Sequence, residues 1–547
     1  MISLIFSSNL FATNIYVDKT LSSNCSAGNY STANKNCGGS DGDAYTTIQG
    51  AVNNMNKSDD IFIRGDTYYE NVLISASNAP DGTANDYASM QSYPGEWAIV
   101  DGQNSQQYTI GKNRSGRDSG NDLAYWRFEK LEITGGTRGD GGAGLYISGG
   151  PFIVRYNYIH DNVASSAGEN PAGIVGYTWK DSIIEYNYFD NNGMSKDTSG
   201  NAAHIAIFSD YLWDTTGRNG FTNSIPSVRR NEIRYNYFSG STIGFKHKGT
   251  QYFTGRNTAS PSKNYDDTYQ DWGDKIHHNY FTGQRRVSVM TYQDFAQVYN
   301  NIFDNIPEAI TIGEQPDDQM YKAVTYNNTI INSKKGIVRY GCDEGLSYPV
   351  NENHYGWDYN NIIDSSTKTY QFWFTGTAIN VLAGCSNSRN PMLANADVSN
   401  YISSNNYFYR ADDPDIFKYG DVYYTASGYE AQTETGTPKT AYSNAYDAGN
   451  PLYAGTTFAN KFITLESHLI EGSTTTANGG IGIPHPYLSG VTLPSYVGAV
   501  DPNNNSWVAG ILCLTDIYTL KNGSAGGPVC SKRPKAIDTL DATVIRN

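Results

Sequence analysis

Apolar and polar residues alternate along the stretch STIGFKHKGT, positions 241–250. Successive side chains of a β-strand point to opposite faces, so a strand that buries Ile243 and Phe245 directs Gly244, Lys246 and Lys248 to the other face. This pattern predicts a short strand with one apolar face and one lysine-bearing face.

A tyrosine- or histidine-led asparagine motif recurs along the chain, and its shortest separation, 21 residues, is close to one bare coil of a repeat protein. Stacked coils bury a continuous apolar core, and aligned asparagines can hydrogen-bond along the stack as a ladder. The repeat therefore predicts one all-β solenoid in which the asparagines are structural. We align these asparagines as Asn157, Asn187, Asn236, Asn279, Asn300, Asn327 and Asn360, with Asn406 as the eighth.

A second apolar strand precedes each motif, and we place these strands in register through Ile205, Ile243 and Val287. Neighbouring coils lie about 4.8 Å apart, so residues distant in sequence meet on the outward face. This register predicts one surface that holds His204, Lys246, Arg286 and Tyr292.

The two longest insertions of the repeat, near 210–232 and 249–275, lie on either side of the Lys246 strand. Long loops in a compact repeat protein are usually functional. Their aromatic side chains can stack on sugar rings and wall a cleft, and packing within the loops is the alternative. We therefore predict substrate contacts from Tyr211, Trp213, Tyr252 and Trp272.

Composition narrows the class of protein. The net charge of −15 disfavours binding to nucleic acid or to anionic membranes, and no run is long enough for a transmembrane helix. The 44 tyrosines and 55 glycines suit an extracellular β protein. We expect a monomer that is secreted, or periplasmic, and is not inserted in a membrane.

Residues 1–12 resemble the end of a secretory signal, with the mature protein starting near Thr13; a short buried first strand is the alternative. We expect an N-terminal cap over 13–60, with a helix within Ala44–Met55, coils over 61–410, and last coils with a C-terminal cap over 411–547. Export favours three local disulfides, although six cysteines allow 15 connectivities. The expected pairs are Cys25 with Cys37, Cys342 with Cys385, and Cys513 with Cys530.

The helix followed by DDIFIRGDTYYENVLI and further short strands resembles the first coils of a right-handed parallel β-helix of the pectin-lyase-like kind. The segment 495–511, SYVGAVDPNNNSWVAGI, resembles the closing segment of many secreted bacterial β-helix proteins. The resemblance implies an all-β, right-handed parallel β-helix, with 495–511 capping its far end.

Cations concentrate around Lys246 in a protein that is acidic as a whole. Lys248, Arg285, Arg286 and Arg339 are expected on or near this face, which indicates a polyanionic glycan, uronate-containing or sulfated. GFKHKG also resembles the lysine-bearing strand of β-helix polysaccharide lyases. The resemblance implies β-elimination with Lys246 as base, Arg286 or Arg285 neutralising the carboxylate, and His204 or Tyr292 protonating the leaving oxygen or positioning the sugar.

Calcium often bridges substrate and enzyme in such lyases, so Ca²⁺ is a candidate cofactor with no ligand set fixed by spacing. Its candidate ligands are Asp210, Asp266, Asp267, Asp271 and Asp274.

Two other functions stay open. A glycoside hydrolase on the same fold needs a carboxylate pair, for which Asp210, Asp294 and Glu314 are candidates. A non-catalytic glycan-binding or surface β-helix protein is the second alternative.

Overall fold

A computed structural model describes the strands of the central coils and leaves out several of the segments that connect them. The described residues are 13–75, 78–111, 123–136, 142–164, 170–193, 201–208, 228–251, 270–293, 295–312, 323–339, 356–365, 372–374, 401–404, 407–410, 417–419, 422–424, 433–434, 437–438, 442–443, 446–447, 488–492, 498–499, 506–524 and 526–530.

Three long sheets run side by side, and each coil contributes one strand to each of them in turn. The first sheet has 14 strands, Asp43–Tyr45, Asn14–Val17, Asp60–Ile63, Ala88–Ser92, Trp126–Glu129, Phe152–Arg155, Ile183–Glu185, Glu232–Arg234, Lys275–His277, Gln297–Tyr299, Ala323–Tyr326, Gly356–Tyr359, Tyr401–Ser404 and Tyr442–Ser443. The second has 12, Thr67–Tyr68, Ala98–Gln106, Leu131–Gly136, Tyr158–His160, Tyr188–Asp190, Tyr237–Ser239, Tyr280–Thr282, Ile302–Asp304, Thr329–Ile331, Ile362–Ser365, Tyr407–Arg410 and Tyr446–Asp447.

The third sheet also has 12 strands and carries Lys246. They are Val72–Leu73, Tyr108–Gly111, Ala143–Tyr146, Ala172–Tyr177, Ala203–Phe208, Ile243–Gln251, Val287–Gln293, Glu308–Ile312, Lys335–Arg339, Phe372–Phe374, Phe417–Tyr419 and Val422–Tyr424. All pairings in the three sheets are parallel except the last one, and a separate antiparallel hairpin joins Thr433–Glu434 to Thr437–Pro438. The predicted all-β parallel β-helix is confirmed.

The core is built from inward-facing rows that repeat from coil to coil. In the second sheet, the rings of Phe189, Phe238, Phe281 and Phe303 stack with centroid distances of 4.9, 4.6 and 5.1 Å. The coil spacing of a parallel sheet matches ring-stacking distance, so identical residues at one repeat position pack without voids. This stacking explains why the sequence repeats phenylalanine after the asparagine motif.

The asparagine ladder exists, but its fifth, sixth and seventh members differ from the alignment, and the eighth, Asn406, lies outside the described residues. Side-chain hydrogen bonds join Asn157, Asn187, Asn236 and Asn279, each 3.0–3.1 Å long, and the ladder continues through Asn301, Asn328 and Asn361. In those last coils the first asparagine of the motif occupies a left-handed turn, with φ of 52° at Asn300, 50° at Asn327 and 52° at Asn360. Asparagine tolerates that conformation well, so it replaces the tyrosine or histidine found there in the earlier coils of the ladder.

The expected register of the third sheet is wrong by two residues at one strand. Phe245 pairs with Ile205 and Val289, and Lys246 pairs with Ala206 and Met290. A shift of two residues keeps the same side chains inward, so apolar alternation could not detect it.

The C-terminal segment lies along the side of the coils, and the predicted end cap at 495–511 is wrong in its described part. The backbone N–H of Gly498 donates to the Asn360 carbonyl, while Tyr156, six ladder steps earlier, donates from its hydroxyl to the Ser524 carbonyl. Helices Ser506–Leu512 and Ile517–Asn522, joined by a 3-10 turn at Cys513–Thr515, pack on outward tyrosines including Tyr237 and Tyr280.

Two predicted disulfides are confirmed, Cys25–Cys37 and Cys513–Cys530, and the Cys342–Cys385 pair falls outside the described residues. The N-terminal helix spans Ile48–Val52, shorter than Ala44–Met55, with the Thr47 hydroxyl accepting the Gly50 N–H as its N-cap. Among the described residues, no helix has the length and hydropathy needed to cross a membrane.

Candidate functional site

Lys246 projects from the outward face of the third sheet and is nevertheless buried, with 3% of its surface exposed. Its Nζ donates to Oδ1 of Asn201 at 3.1 Å, and Asn201 comes just before the adjacent strand Ala203–Phe208. The preceding Gly244 lacks room for a side chain, because an added Cβ would lie 2.8 Å from the ring of Phe281. Packing therefore requires the glycine of the GFK motif.

His204 does not lie on this surface, which corrects the prediction. It is fully buried, its Nδ1 accepts from Asn192 at 3.0 Å, and its Nε2 donates to the Gly240 carbonyl at 2.9 Å. Asn162 donates to Asn192 at 2.8 Å, so His204 ends a second side-chain ladder inside the coil. Both ring nitrogens are engaged with the protein, and His204 is structural.

Burial lowers the pKa of His204 from 6.5 to about 3. The unfolded chain binds a proton at this imidazole below about pH 6.5, whereas the folded chain resists protonation down to about pH 3, so protonation favours unfolding across this window. We expect stability to fall between pH 6.5 and pH 3, and to fall less steeply in His204→Gln. Urea unfolding midpoints measured across this range test the expectation; equal pH slopes for the two proteins would contradict it.

Arg285 and Arg286 lie at the opposite end of their strand from the lysine row. Their backbone N–H groups donate to Ser241 at 2.9 Å and Thr242 at 3.0 Å, and Arg285 is exposed. Arg286 precedes Met290, the residue level with Lys246, by four positions, or about 13 Å of strand. The two arginines border the third sheet at its leading edge and are not adjacent neighbours of Lys246.

Tyr292 is also away from solvent. It is 1% exposed, belongs to the main apolar cluster, and donates from its hydroxyl to the Met290 sulfur at 3.4 Å. The expectation that Tyr292 lies on an open surface is therefore wrong, and Met290 is the outward neighbour of Lys246 on the next coil.

The structure gives positions for some of the other predicted residues, and the rest lie outside its described part. Trp272 lies at the turn that leads into the strand Lys275–His277 of the first sheet. The centre of its ring is 5.1 Å from the guanidinium carbon of Arg229 and 5.1 Å from that of Arg230. Arg339 is level with Ile312, one position past the row of Lys246. The following lie outside the described residues: Asp210, Tyr211, Trp213, Tyr252, Asp266, Asp267, Asp294 and Glu314; for Lys248 the backbone alone is described, level with Phe208.

Sequence reasoning gave no part in the site to Asn201 or His247, and it considered Asp274 only as a calcium ligand. Asn201 supplies the acceptor for Nζ, and His247 and Asp274 form a buried pair with Nδ1 and Oδ2 3.3 Å apart. His247 follows Lys246 directly in the sequence, and the strand alternation that turns Lys246 outward turns His247 inward. That alternation was readable in advance; the partner Asp274, distant in sequence, was not.

An aromatic row leads toward the lysines on the same outward face. The rings of Tyr177 and Phe208 stack at 5.3 Å, both residues are half-buried, and Phe208 is level with Lys248. Flat, partly exposed rings of this kind can pack against a sugar ring.

A calcium site is not formed by the acidic residues that the structure describes. Asp274 is fully buried and accepts from the Asn231 backbone at 3.0 Å and side chain at 2.9 Å, while Asp271 is exposed. Within the described part of the chain, no group of three histidine, cysteine or acidic side chains is arranged to hold a metal ion.

The sequence matches no protein-family model and no curated protein. Among solved structures, the chain is similar to an alginate lyase from Paenibacillus sp. str. FPU-7, with 14% identity, a TM-score of 0.38, and coverage of 60% of this chain and 95% of that one. It is similar to a PL6 family polysaccharide lyase from Pseudopedobacter saltans, at 14% identity, TM-score 0.37, and 67% and 92% coverage. It is also similar to XylC in complex with xylose, with 10% identity, a TM-score of 0.39, and coverage of 75% of this chain and 86% of that one. The likeness is one of fold and assigns no residue a role.

Proposed function

We propose that this protein is a depolymerase of an acidic polysaccharide that cleaves by β-elimination with Lys246 as the base. One observation carries the proposal: Lys246 is buried on the outward face of the third sheet, with its Nζ held by the neutral amide of Asn201 at 3.1 Å. Desolvation disfavours an ammonium relative to a neutral amine, and a neutral amine is what accepts a proton.

β-Elimination on a uronate begins with removal of the C5 proton, which lies α to the carboxylate. The electron pair forms a C4–C5 double bond, the C4–oxygen glycosidic bond breaks, and the departing oxygen takes a proton. Lys246 takes the C5 proton in this scheme. Solvent water supplies the proton to the departing oxygen in this scheme, because both ring nitrogens of His204 are bonded within the coil and the Tyr292 hydroxyl is buried against the Met290 sulfur.

Positive charge near the substrate carboxylate stabilises the enolate-like transition state. Lys248 is the candidate for this role, because its backbone lies two positions along the strand from Lys246, about 6.6 Å away, and strand alternation predicts the same face for the two lysines. Arg285 and Arg286, at the far edge of the sheet, are candidates for binding neighbouring anionic sugars.

An acidic substrate class follows from the charge distribution. The net charge is −15, yet Lys246, Lys248, Arg285 and Arg286 all belong to neighbouring strands of the third sheet or to their leading turn. A uronate-containing glycan fits both this cationic strip and the proposed chemistry. A sulfated glycan without uronate fits the cationic strip but not the proposed chemistry, because a sulfate ester does not acidify the C5 proton.

Digestion of a panel of uronate and sulfated polysaccharides tests the proposal. Absorbance of unsaturated sugar ends, followed together with new reducing ends, should show both signals rising in equal amounts on at least one uronate polymer. New reducing ends without unsaturated ends would show that the protein is a hydrolase and not a lyase. The candidates for its carboxylate pair are Asp210, Asp294 and Glu314. Neither signal, with retained glycan binding, would replace the enzyme by a binding protein.

A further inference from the structure

A patch of polar side chains lies inside the core directly behind Lys246. The inward row of the third sheet after Ile205, Phe245 and Val289 consists of Ile207, His247, Thr291 and Ile312 on successive coils. His247 and Thr291 are both fully buried. Two polar residues therefore interrupt an otherwise apolar row, at the coil of the lysine and at the next one.

Asp274 joins this patch from the end of the second long insertion. It precedes the strand Lys275–His277, and its backbone N–H donates to Oε1 of Gln293 at 2.6 Å. Its Oδ1 accepts hydrogen bonds from the backbone N–H and from the side-chain Nδ2 of Asn231. Its other oxygen, Oδ2, points at Nδ1 of His247 across 3.3 Å, without the direction of a hydrogen bond. The patch thus links the strand where the insertion begins to the residue where it ends.

Four buried polar atoms of the patch have no hydrogen-bond partner within the described part of the chain. They are Nδ1 and Nε2 of His247, Oδ2 of Asp274 and Oγ1 of Thr291. Buried polar atoms are nearly always paired with protein or with ordered water, and a buried water commonly makes about three hydrogen bonds. Donors and acceptors are both present here, which suits a water molecule better than a cation.

We infer that His247, Asp274 and Thr291 form a buried water-binding site that fixes the strand of Lys246 and the base of the insertion that follows it. The positioning role rests on the proposed function, while the water site does not. Lys246 and His247 are adjacent on one strand, so any rotation that releases His247 from the core also displaces the Lys246 side chain. The three residues are positioning residues and do not touch the substrate.

A matched pair of substitutions separates hydrogen bonding from packing. Thr291→Val keeps the shape and removes the hydroxyl, whereas Thr291→Ser keeps the hydroxyl and removes a methyl. We expect Thr291→Val to lower kcat roughly tenfold and Asp274→Asn up to roughly 100-fold, the range expected for a misplaced catalytic group. KM should stay within about twofold, because the substrate contacts are unchanged, and Thr291→Ser should retain wild-type kcat.

Equal losses in the Val and Ser variants, or unchanged kcat in Thr291→Val, would overturn the positioning role. A high-resolution crystal structure of the wild-type protein decides the water site independently: density for a water bonded to at least three of the four atoms supports it. Direct bonds among the side chains without water, or a cation at coordination distances of about 2.3–2.6 Å, overturn it. If the wild-type protein cleaves no glycan, both the proposed function and the positioning role are wrong. The water site is then still tested by the electron density alone.

Discussion

Replacing Lys246 by alanine is expected to lower the rate of glycan cleavage by about 10²–10⁴-fold, the contribution typical of a general base. The side chain is 3% exposed on the outward face, and its amine is the group proposed to take the C5 proton. Initial rates of unsaturated-end formation measure the loss, and circular dichroism with a thermal melt checks that the coils remain. Lys334→Ala is the matched control, because Lys334 is an exposed lysine at the edge of the same sheet.

Asn201→Asp separates a base from a lysine that merely binds substrate. A carboxylate about 3 Å from Nζ stabilises the ammonium, so the pH–rate profile should shift to higher pH while the plateau rate is largely kept. Near-normal rates in Lys246→Ala would refute the role of the lysine. A drop in rate with Asn201→Asp that is the same at every pH would indicate binding alone.

Asn236→Ala is expected to lower the free energy of unfolding by about 3–5 kcal/mol, near the upper end for single substitutions. Its Oδ1 accepts the backbone and side-chain donors of Asn187, both at 3.0 Å, and its Nδ2 donates to the Ile184 carbonyl at 2.8 Å. Alanine leaves these buried groups unpaired, at about 1–3 kcal/mol each.

Urea unfolding measures this loss, with Asn54→Ala as the control. Asn54 is an exposed asparagine whose side chain bonds one carbonyl, that of Gly50, so its replacement should change the free energy of unfolding by less than about 0.5 kcal/mol. Losses of similar size in the two variants would mean that the ladder contributes no more than a surface turn.

The fold was predictable because each coil repeats the same local chemistry. The recurring asparagine and the apolar residue two positions later, as in Asn236 and Phe238, mark a turn and a buried strand position in each coil of the ladder from Asn157 to Asn361. Local disulfides were readable from cysteine spacing in the same way. The choice of ladder asparagine in the later coils was not, because either residue of an Asn-Asn pair satisfies the motif until the left-handed turn selects one.

The site was predicted less well, because it depends on which residues of separate coils are level. His204 was expected beside Lys246 and instead closes a buried ladder through its bonds to Asn192 and Gly240, while its strand is also shifted by two positions from the expected register. The same shift keeps the apolar face inward, so no count of apolar residues distinguishes the two registers.

The sequence by itself determined the parallel β-helix, the outward direction of Lys246 and the position of its strand between two long insertions, because strand alternation and repeat length are local properties. Tertiary structure alone decided that Lys246 is buried against Asn201, that His204 is interior, that Tyr292 is buried, and that His247 meets Asp274 in the core. Burial and pairing between coils depend on the register of strands separated by long insertions, and that register is fixed by packing of the whole stack.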